Sequence, residues 1–423
     1  MFWMSREDWV ETELGKFAFH EKGKKPINQK DKFDSTYKYP YVDIEAFEKG
    51  IIKSYTDGEK CNFCTEEDFL MVWDGSRSGL VGKGVNGALG STLVRINFPG
   101  ILNNYAFFFL KSKYQQINTR AKGTGTPHVD PSLLWAYNFP IPPLPEQRAI
   151  VTKIEQLFSD LDNGIASLKT AQDQLKVYRQ AVLKKPFEAN ENNIKCLISD
   201  VTEKIQIGPF GSQLHKKDYI EGGIPLINPM HIQGGKILPN SSYTISRSKR
   251  DSLPNYILKT GDIIMGRRGE MGRCSLVSQQ EDGWFCGTGS LYFRPNFRKA
   301  FSPFLYYYLQ SVVVKKLLTS EASGTTMANL NKKIVSNIPL YLPSLKEQNQ
   351  IVQEIESRLS VCDKVEETIK ESLKKAEALR QSILKKAFEG RLLSEAESVA
   401  CREEDDWEPA EVLLERIKRE KSK

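Results

Sequence analysis

Between Glu146 and Glu188 the apolar positions step by four and three: Ile150, Ile154, Leu157, Leu161, Gly164, Leu168, Ala171, Leu175, Tyr178, Val182. That spacing is the heptad stripe of a helix that buries one seam. The stripe returns 201 residues later at Ile351, Ile355, Cys362, Val365, Ile369, Ala376, Leu379 and Ile383. Leu359 and Leu373 widen this second stripe, while Arg358 and Ser372 interrupt its strict register. The two stretches, Glu146–Glu188 and Glu347–Glu389, align without a gap, with sixteen of 43 positions identical. A long helix written twice, each time after a globular segment of similar size, marks a two-fold pseudo-repeat.

The helix ends carry matching signals. Ser344 and Glu347 fit a capping box, and Pro145 suits a first helical turn. Pro186 and Gly390 fall where helices stop. Each helix would be about 60 Å long, and alone it would leave its stripe wet. Antiparallel pairing of the two copies is the economical solution, with the globular segments at opposite ends of a rod; pairing in a homodimer is the alternative. Gly164, where the second copy has Val365, would mark a kink or a close helix crossing at a cost of about 1 kcal/mol against alanine.

The segments before the helices read as mixed α/β. Short β-rich runs such as Phe69-Leu70-Met71-Val72-Trp73 alternate with Gly/Asn clusters, and a helical patch covers Tyr105 to Tyr114. Landmarks recur: Asp68-Phe69-Leu70-Met71 matches Asp262-Ile263-Ile264-Met265, Gly125-Thr126 matches Gly324-Thr325, and Phe139-Pro140 matches Ile338-Pro339. Residues between the landmarks diverge, as in two modules of one scaffold that read different ligands. The predicted architecture is therefore α/β: two pseudo-repeated domains, 1–143 and 190–343, joined by long helices 144–189 and 344–390 in an antiparallel coiled coil, with a tail over 391–423.

Composition narrows the classes. The 423 residues carry a net charge of +7, which suits a polyanionic partner. No apolar run of membrane-spanning length occurs, and the N-terminus lacks the apolar core of a signal peptide. Seven scattered cysteines read as reduced thiols in a cytoplasmic protein.

Two variable segments, each followed by a helix opened by P-x-L-x-E-Q and closed by R-Q-x-[VI]-L-K-K-x-F-E, resemble the specificity subunit of type I restriction–modification enzymes. The opening motifs are Pro142-Pro143-Leu144-Pro145-Glu146-Gln147 and Pro343-Ser344-Leu345-Lys346-Glu347-Gln348; the closing ones are residues 179–188 and 380–389. The likeness covers nearly the whole chain, including Glu389-Gly390-Arg391-Leu392 and residues 408–417 of the tail. It implies two target-recognition domains, each reading one half of a bipartite double-stranded DNA target. It also implies helices that space the domains and dock two modification subunits, which carry adenine-N6 methyltransferase activity, with restriction subunits in the full complex.

The residues hold no catalytic constellation of their own. The methyltransferase N-P-P-[YF] or D-P-P-Y loop is absent, Asn138-Phe139-Pro140 being a distant echo, and no phosphate-binding G-x-x-x-x-G-K-[ST] occurs. Cys61-x-x-Cys64 has no second pair, so neither metal nor cofactor is expected. A fused enzyme is disfavoured on these grounds; a coiled-coil scaffold without DNA affinity is the other alternative.

DNA contact would fall on basic and amide side chains in Gly-rich loops, where Arg reads guanine and Asn/Gln reads adenine. In the first module these are Arg77, Lys122, Thr124, Thr126 and His128. In the second they are Gln213, His215, Lys216 and Lys217; Arg267, Arg268 and Arg273 in a glycine-flanked basic loop; and Thr325, Thr326, Asn329, Asn331 and Lys332. Lys184-Lys185 and Lys385-Lys386 read as helix-dipole partners, and Glu146 and Glu347 as first-turn capping residues. The acidic, then amphipathic, tail would dock a partner subunit or remain loose.

Overall fold

The computed structural model describes residues 8–123, 125–188, 193–269, 272–322 and 330–421. The chain forms two compact units, residues 1–167 with 372–423, and residues 168–371. Each unit combines one globular module with half of each long helix.

In the first unit an antiparallel sheet runs in the order Phe19–Lys22, Leu93–Asn97, Phe69–Val72, Val81–Lys83. A second sheet contains the parallel pair Tyr39–Val42 and Gly87–Leu89. A short ribbon of Val10–Glu13 on Asn138–Ile141 leads into the first long helix. The second unit repeats this plan. Its main sheet runs Thr202–Ile207, Ser290–Pro295, Ile263–Gly266, Cys274–Leu276. Its parallel pair is Ile224–Ile227 with Phe285–Cys286, and its ribbon pairs Ile194–Leu197 with Pro339–Leu342. Apolar strands such as Phe69-Leu70-Met71-Val72 are buried on both faces, which explains their unbroken hydrophobic runs.

The long helices span Leu144–Lys184 and Leu345–Phe388. In the first unit the start of one packs with the end of the other: Ile150, Ile154 and Phe158 share a core with Ile383, Leu384 and Phe388. In the second unit Val182 shares a core with Val352 and Ile355. Both pairings are antiparallel, as the repeat predicts.

The seam itself differs from the expected stripe. Ile154, Leu161, Leu168, Leu175 and Val182 hold one row, but the other lies one residue later, at Val151, Phe158, Ile165, Gln172 and Arg179. The second helix follows the same register, with Ile355, Cys362, Ile369, Ala376 and Ile383 in one row and Val352, Leu359, Glu366, Leu373 and Arg380 in the other. Tyr178, Val365 and Leu379 are 45%, 41% and 50% exposed. Leu359 and Leu373 therefore belong to the seam, and Arg358 and Ser372 do not interrupt it. Gly164 is exposed with nothing within 4 Å of its would-be side chain, which excludes a close crossing there, and the helix continues through it.

Arginines enter this seam because they are paired. Arg179 reaches Asp363 at 2.6 Å and Glu366 at 3.0 Å. Arg380, 201 residues on, reaches Asp162 at 2.5 Å and lies 4.5 Å from the Phe158 ring centre. Asp162 and Asp363 are themselves 201 apart, so each unit carries one copy of the same ion pair.

A buried glutamine joins each module to its helix. Gln147 Oε1 accepts the Leu102 N–H at 2.9 Å, and its Nε2 donates to the Pro142 carbonyl at 3.0 Å. Gln348 Oε1 accepts the Phe301 N–H at 2.7 Å, and its Nε2 donates to the Pro343 and Lys299 carbonyls. Both side chains are fully buried. Leu102 and Phe301 are the N-caps of the module helices Asn103–Thr119 and Ser302–Gln310, so the glutamine supplies the acceptor that the helix N-terminus lacks.

The capping box at Ser344 and Glu347 forms as predicted. Gly390 ends the second helix at φ 68°. Glu146 departs from its predicted capping role: it is buried and accepts the Trp9 Nε1–H at 2.8 Å, and burial pushes its carboxyl pKa up. The tail is not loose. Helices Glu395–Arg402 and Ala410–Lys421 fold onto the first unit, where Leu413 and Ile417 enter the core. Arg148 binds Glu404 and Asp406 at 2.6 and 2.7 Å, and Lys153 binds Glu397 at 2.6 Å. Among the described residues no helix is long and apolar enough to cross a membrane.

Replacing Gln348 by alanine removes three hydrogen bonds and strands buried backbone groups. The expected loss is about 2–3 kcal/mol, read as a lower urea midpoint. The tail contact carries a pH signature. Lys153, then Ser394, holds the Glu397 carboxyl down to about 2, below the ordinary glutamate value of about 4.3. Its stabilisation is full above the ordinary value and lost as pH falls through about 2. Lys153→Met therefore flattens the acid side of the thermal stability curve in that window.

Candidate nucleic-acid interface

In the first module the strand ends at Lys22, Val72 and Leu93 lie together, because Lys22 pairs with Val94 and Val72 with Leu93. Three loops leave this end. Residues 73–80 hold it through the Lys22–Asp74 ion pair at 2.8 Å. The 122–129 loop closes on itself by mutual Lys122–His128 backbone bonds. It is tied to the first loop where Gly75 N–H donates to the Pro127 carbonyl and Val129 N–H to that of Trp73. The third loop begins at Gly23, whose N–H donates to Leu93.

The second module builds the same end. Gly208 N–H donates to Ser290, Arg267 N–H to Gly289, Gly266 N–H to Arg273, and Leu330 N–H to Arg267. The loops that begin at Gly208 and at Arg267, the turn at residues 287–289 and the segment at Leu330 therefore meet at this end. Leu330 on Arg267 is the counterpart of Val129 on Trp73.

The structure thus brings Arg77, Lys122, Thr126 and His128 to the sheet end of the first module and Arg267, Arg268 and Arg273 to that of the second. Their states differ. Arg77 is ion-paired to Glu48, whose side chain is largely buried. Lys122 holds Asp130 at 2.8 Å and depresses that carboxyl to about 2. Thr126 and His128 lie in the same loop. Arg267 is half-buried: its Nε donates to the Leu330 carbonyl at 2.8 Å, and burial, then Arg268, lowers its pKa. Arg268 is exposed. Arg273 donates to the Pro229 carbonyl. Gln213 accepts the Tyr256 hydroxyl at 2.8 Å, and His215 starts the one-turn helix that bears exposed Lys216 and Lys217.

Asn331 serves another purpose. Its Oδ1 accepts the Ile334 N–H as the N-cap of Lys332–Ser336, matching Asp130 as the cap of Pro131–Trp135. Lys332 sits on that helix within electrostatic reach of Lys204. Thr124, Thr325, Thr326 and Asn329 lie outside the described residues.

Two features escaped the sequence reading. Exposed Lys24 and Lys25 sit in the third loop of the first module. Gly23 and Gly208 mark a shared close approach, since a Cβ would run into the carbonyl of Gly90 in one module and of Gly287 in the other. The signal was a glycine directly after a strand in both copies, followed by a basic pair in one.

Two of the thiols are held protonated by burial. Burial pushes Cys64 up to about 11 and Cys274 up to about 12. Cys64 donates to the Val85 carbonyl and Cys61 to that of Glu59, so the C-x-x-C pair does not converge. Among the described residues no three His, Cys, Asp or Glu side chains are grouped to hold a metal.

A sheet end that offers arginine, lysine and glycine-rich backbone, repeated on two modules, defines a class of sequence-reading DNA-binding protein. The chain belongs to the type I restriction modification DNA specificity family, whose profile matches residues 6–171 and 198–375. It is 26% identical over 400 residues to the type I restriction enzyme MjaVIII specificity subunit of Methanocaldococcus jannaschii, covering 89% of this chain and 92% of that one. Its fold is similar to a chain from a study of complex assembly and conformational transition of the type I R-M system, with TM-score 0.69 and 22% identity over 91% of this chain and 98% of the other. The HsdS subunit from Thermoanaerobacter tengcongensis also shares the fold, with TM-score 0.59 and 21% identity over 91% and 98% of the two chains. The role is that of a DNA sequence-specificity subunit, with catalysis in separate subunits; the scaffold alternative is not favoured.

Proposed function

We propose that each module reads one half of a bipartite double-stranded DNA target through the loops gathered at its sheet end. One observation carries this reading: both modules bring basic, glycine-bounded loops to the same end of the same sheet, yet the residues there differ. A shared scaffold with different loops suits two different half-sites. The phosphate-directed share of affinity comes from exposed lysines such as Lys24, Lys25, Lys216 and Lys217, and direct base reading in the second module from Arg268. The long helices dock two modification subunits, which supply the methyltransferase chemistry in the cytoplasm, and restriction subunits complete the complex. The helices also set the unread spacing between half-sites.

The test is co-expression of the full chain with its modification subunit in a methylation-free host, followed by genome-wide mapping of adenine methylation. The expected product is a bipartite motif with a fixed spacer, lost when this chain is omitted. A stable complex that methylates without any motif would sink the reading. Arg268→Ala relaxes one position in one half-site, at a cost of about 1–3 kcal/mol; weakening on all sequences alike would make it a phosphate contact instead.

The spacer role makes a separate forecast. Seven residues added to each helix, after Leu168 and after Ile369, preserve the seam and add about 10 Å of helix. The mapped spacer should lengthen, by up to about three base pairs at 3.4 Å each, with both half-sites unchanged.

A further inference from the structure

The loop after Thr202–Ile207 is anchored by four residues. Gly208 is pinned against the Gly287 carbonyl, Pro209 and Leu214 are buried, and Gln213 accepts the Tyr256 hydroxyl. Between these anchors the chain presents its bulkiest side chain outward: Phe210 is 68% exposed on extended backbone, just before Gly211 in the left-handed region at φ 62°. A scattered exposed apolar residue is ordinary on a protein surface. Phe210 differs in its company. Gly208 bonds to Ser290 and Arg267 to Gly289, which puts Phe210 at the sheet end that carries exposed Arg268. Met230, 51% exposed, follows Pro229, the residue packed on Gly266 and Gly289 at that same end.

The other module supplies the contrast. Counted from the matching glycine, Phe210 corresponds to Lys25, the residue two beyond Gly23. One module thus offers a cation, and the other an outward aromatic ring on an anchored loop, at matching positions on the same scaffold. A cation there meets phosphate or a base-edge acceptor. An aromatic ring beside an arginine meets the one apolar group that a base pair exposes in the major groove, the thymine 5-methyl.

We propose that Phe210 is a specificity-determining residue that reads a thymine 5-methyl group in the half-site of the second module. This rests on the DNA-reading role proposed for that sheet end. Discrimination comes from removing the methyl and the ring face from water together, so it favours thymine over deoxyuridine with base pairing unchanged.

The test uses the full chain in complex with its modification subunit and duplexes carrying the mapped target. Each thymine of the half-site that responds to Arg268→Ala is replaced singly by deoxyuridine, and binding is followed by fluorescence anisotropy. One replacement should weaken the wild-type complex about three- to fivefold, the value of one buried methyl group. Phe210→Ala should bind both duplexes alike at the weaker level, and Phe210→Leu should keep a preference for thymine. Phe210 is exposed, so an unchanged melting temperature is expected and separates contact from folding. Indifference of the wild type to every replacement, a thymine preference that survives in Phe210→Ala, or a half-site without thymine overturns the assignment. So does an equal loss on every duplex while the wild type keeps its preference at a position that Phe210→Ala leaves intact, which marks a stacking wedge. A wild-type complex that does not distinguish the target from a scrambled duplex overturns the DNA-reading role itself.

Discussion

The structure depends on a side-chain amide that replaces a missing hydrogen-bond acceptor. At the head of each long helix a buried glutamine takes up the free N–H at the start of the module helix and returns its own N–H groups to prolyl carbonyls of the incoming turn. A buried amide so placed is costly to leave unsatisfied, so the direction of the long helix is locked to the module that precedes it. The orientation of each sheet end relative to its own helix follows from that joint. The same chemistry at Gln147 and Gln348 explains why the opening motif of the helix is written twice while the loops are not.

What could be read from the chain was what is local. The repeat, the helix lengths, the Ser344 cap and the Gly390 stop depend on residues a few positions apart. The seam was half legible. Its first row consists of apolar residues in both copies, but its second includes Gln172, Arg179, Glu366 and Arg380. A hydrophobic criterion passes over these and selects the neighbouring Tyr178, Val365 and Leu379, which flank the contact. Ion pairs formed with the other helix make the polar row tolerable, and nothing within one helix reveals them.

The loops show the same division. Their positions were legible from glycine and charge, but the state of each side chain was set by distant partners. Glu48 occupies Arg77 and Asp130 occupies Lys122, while a cap occupies Asn331. The tail looked loose for a related reason: its acidic residues meet Arg148 and Lys153, which lie far away in sequence on the first long helix. Charge in sequence is a promise of pairing, and the partner is chosen by the fold.

The close approach of Gly23 and Gly208 to neighbouring strands has a bearing on how such a protein changes over generations. Backbone against backbone fixes the root of each loop at the glycine itself, whatever side chains lie further out. Substitutions further out therefore leave the sheet where it was, and a lineage can explore new loop residues with little risk of losing the fold. Two such roots in one chain let the two tips drift independently.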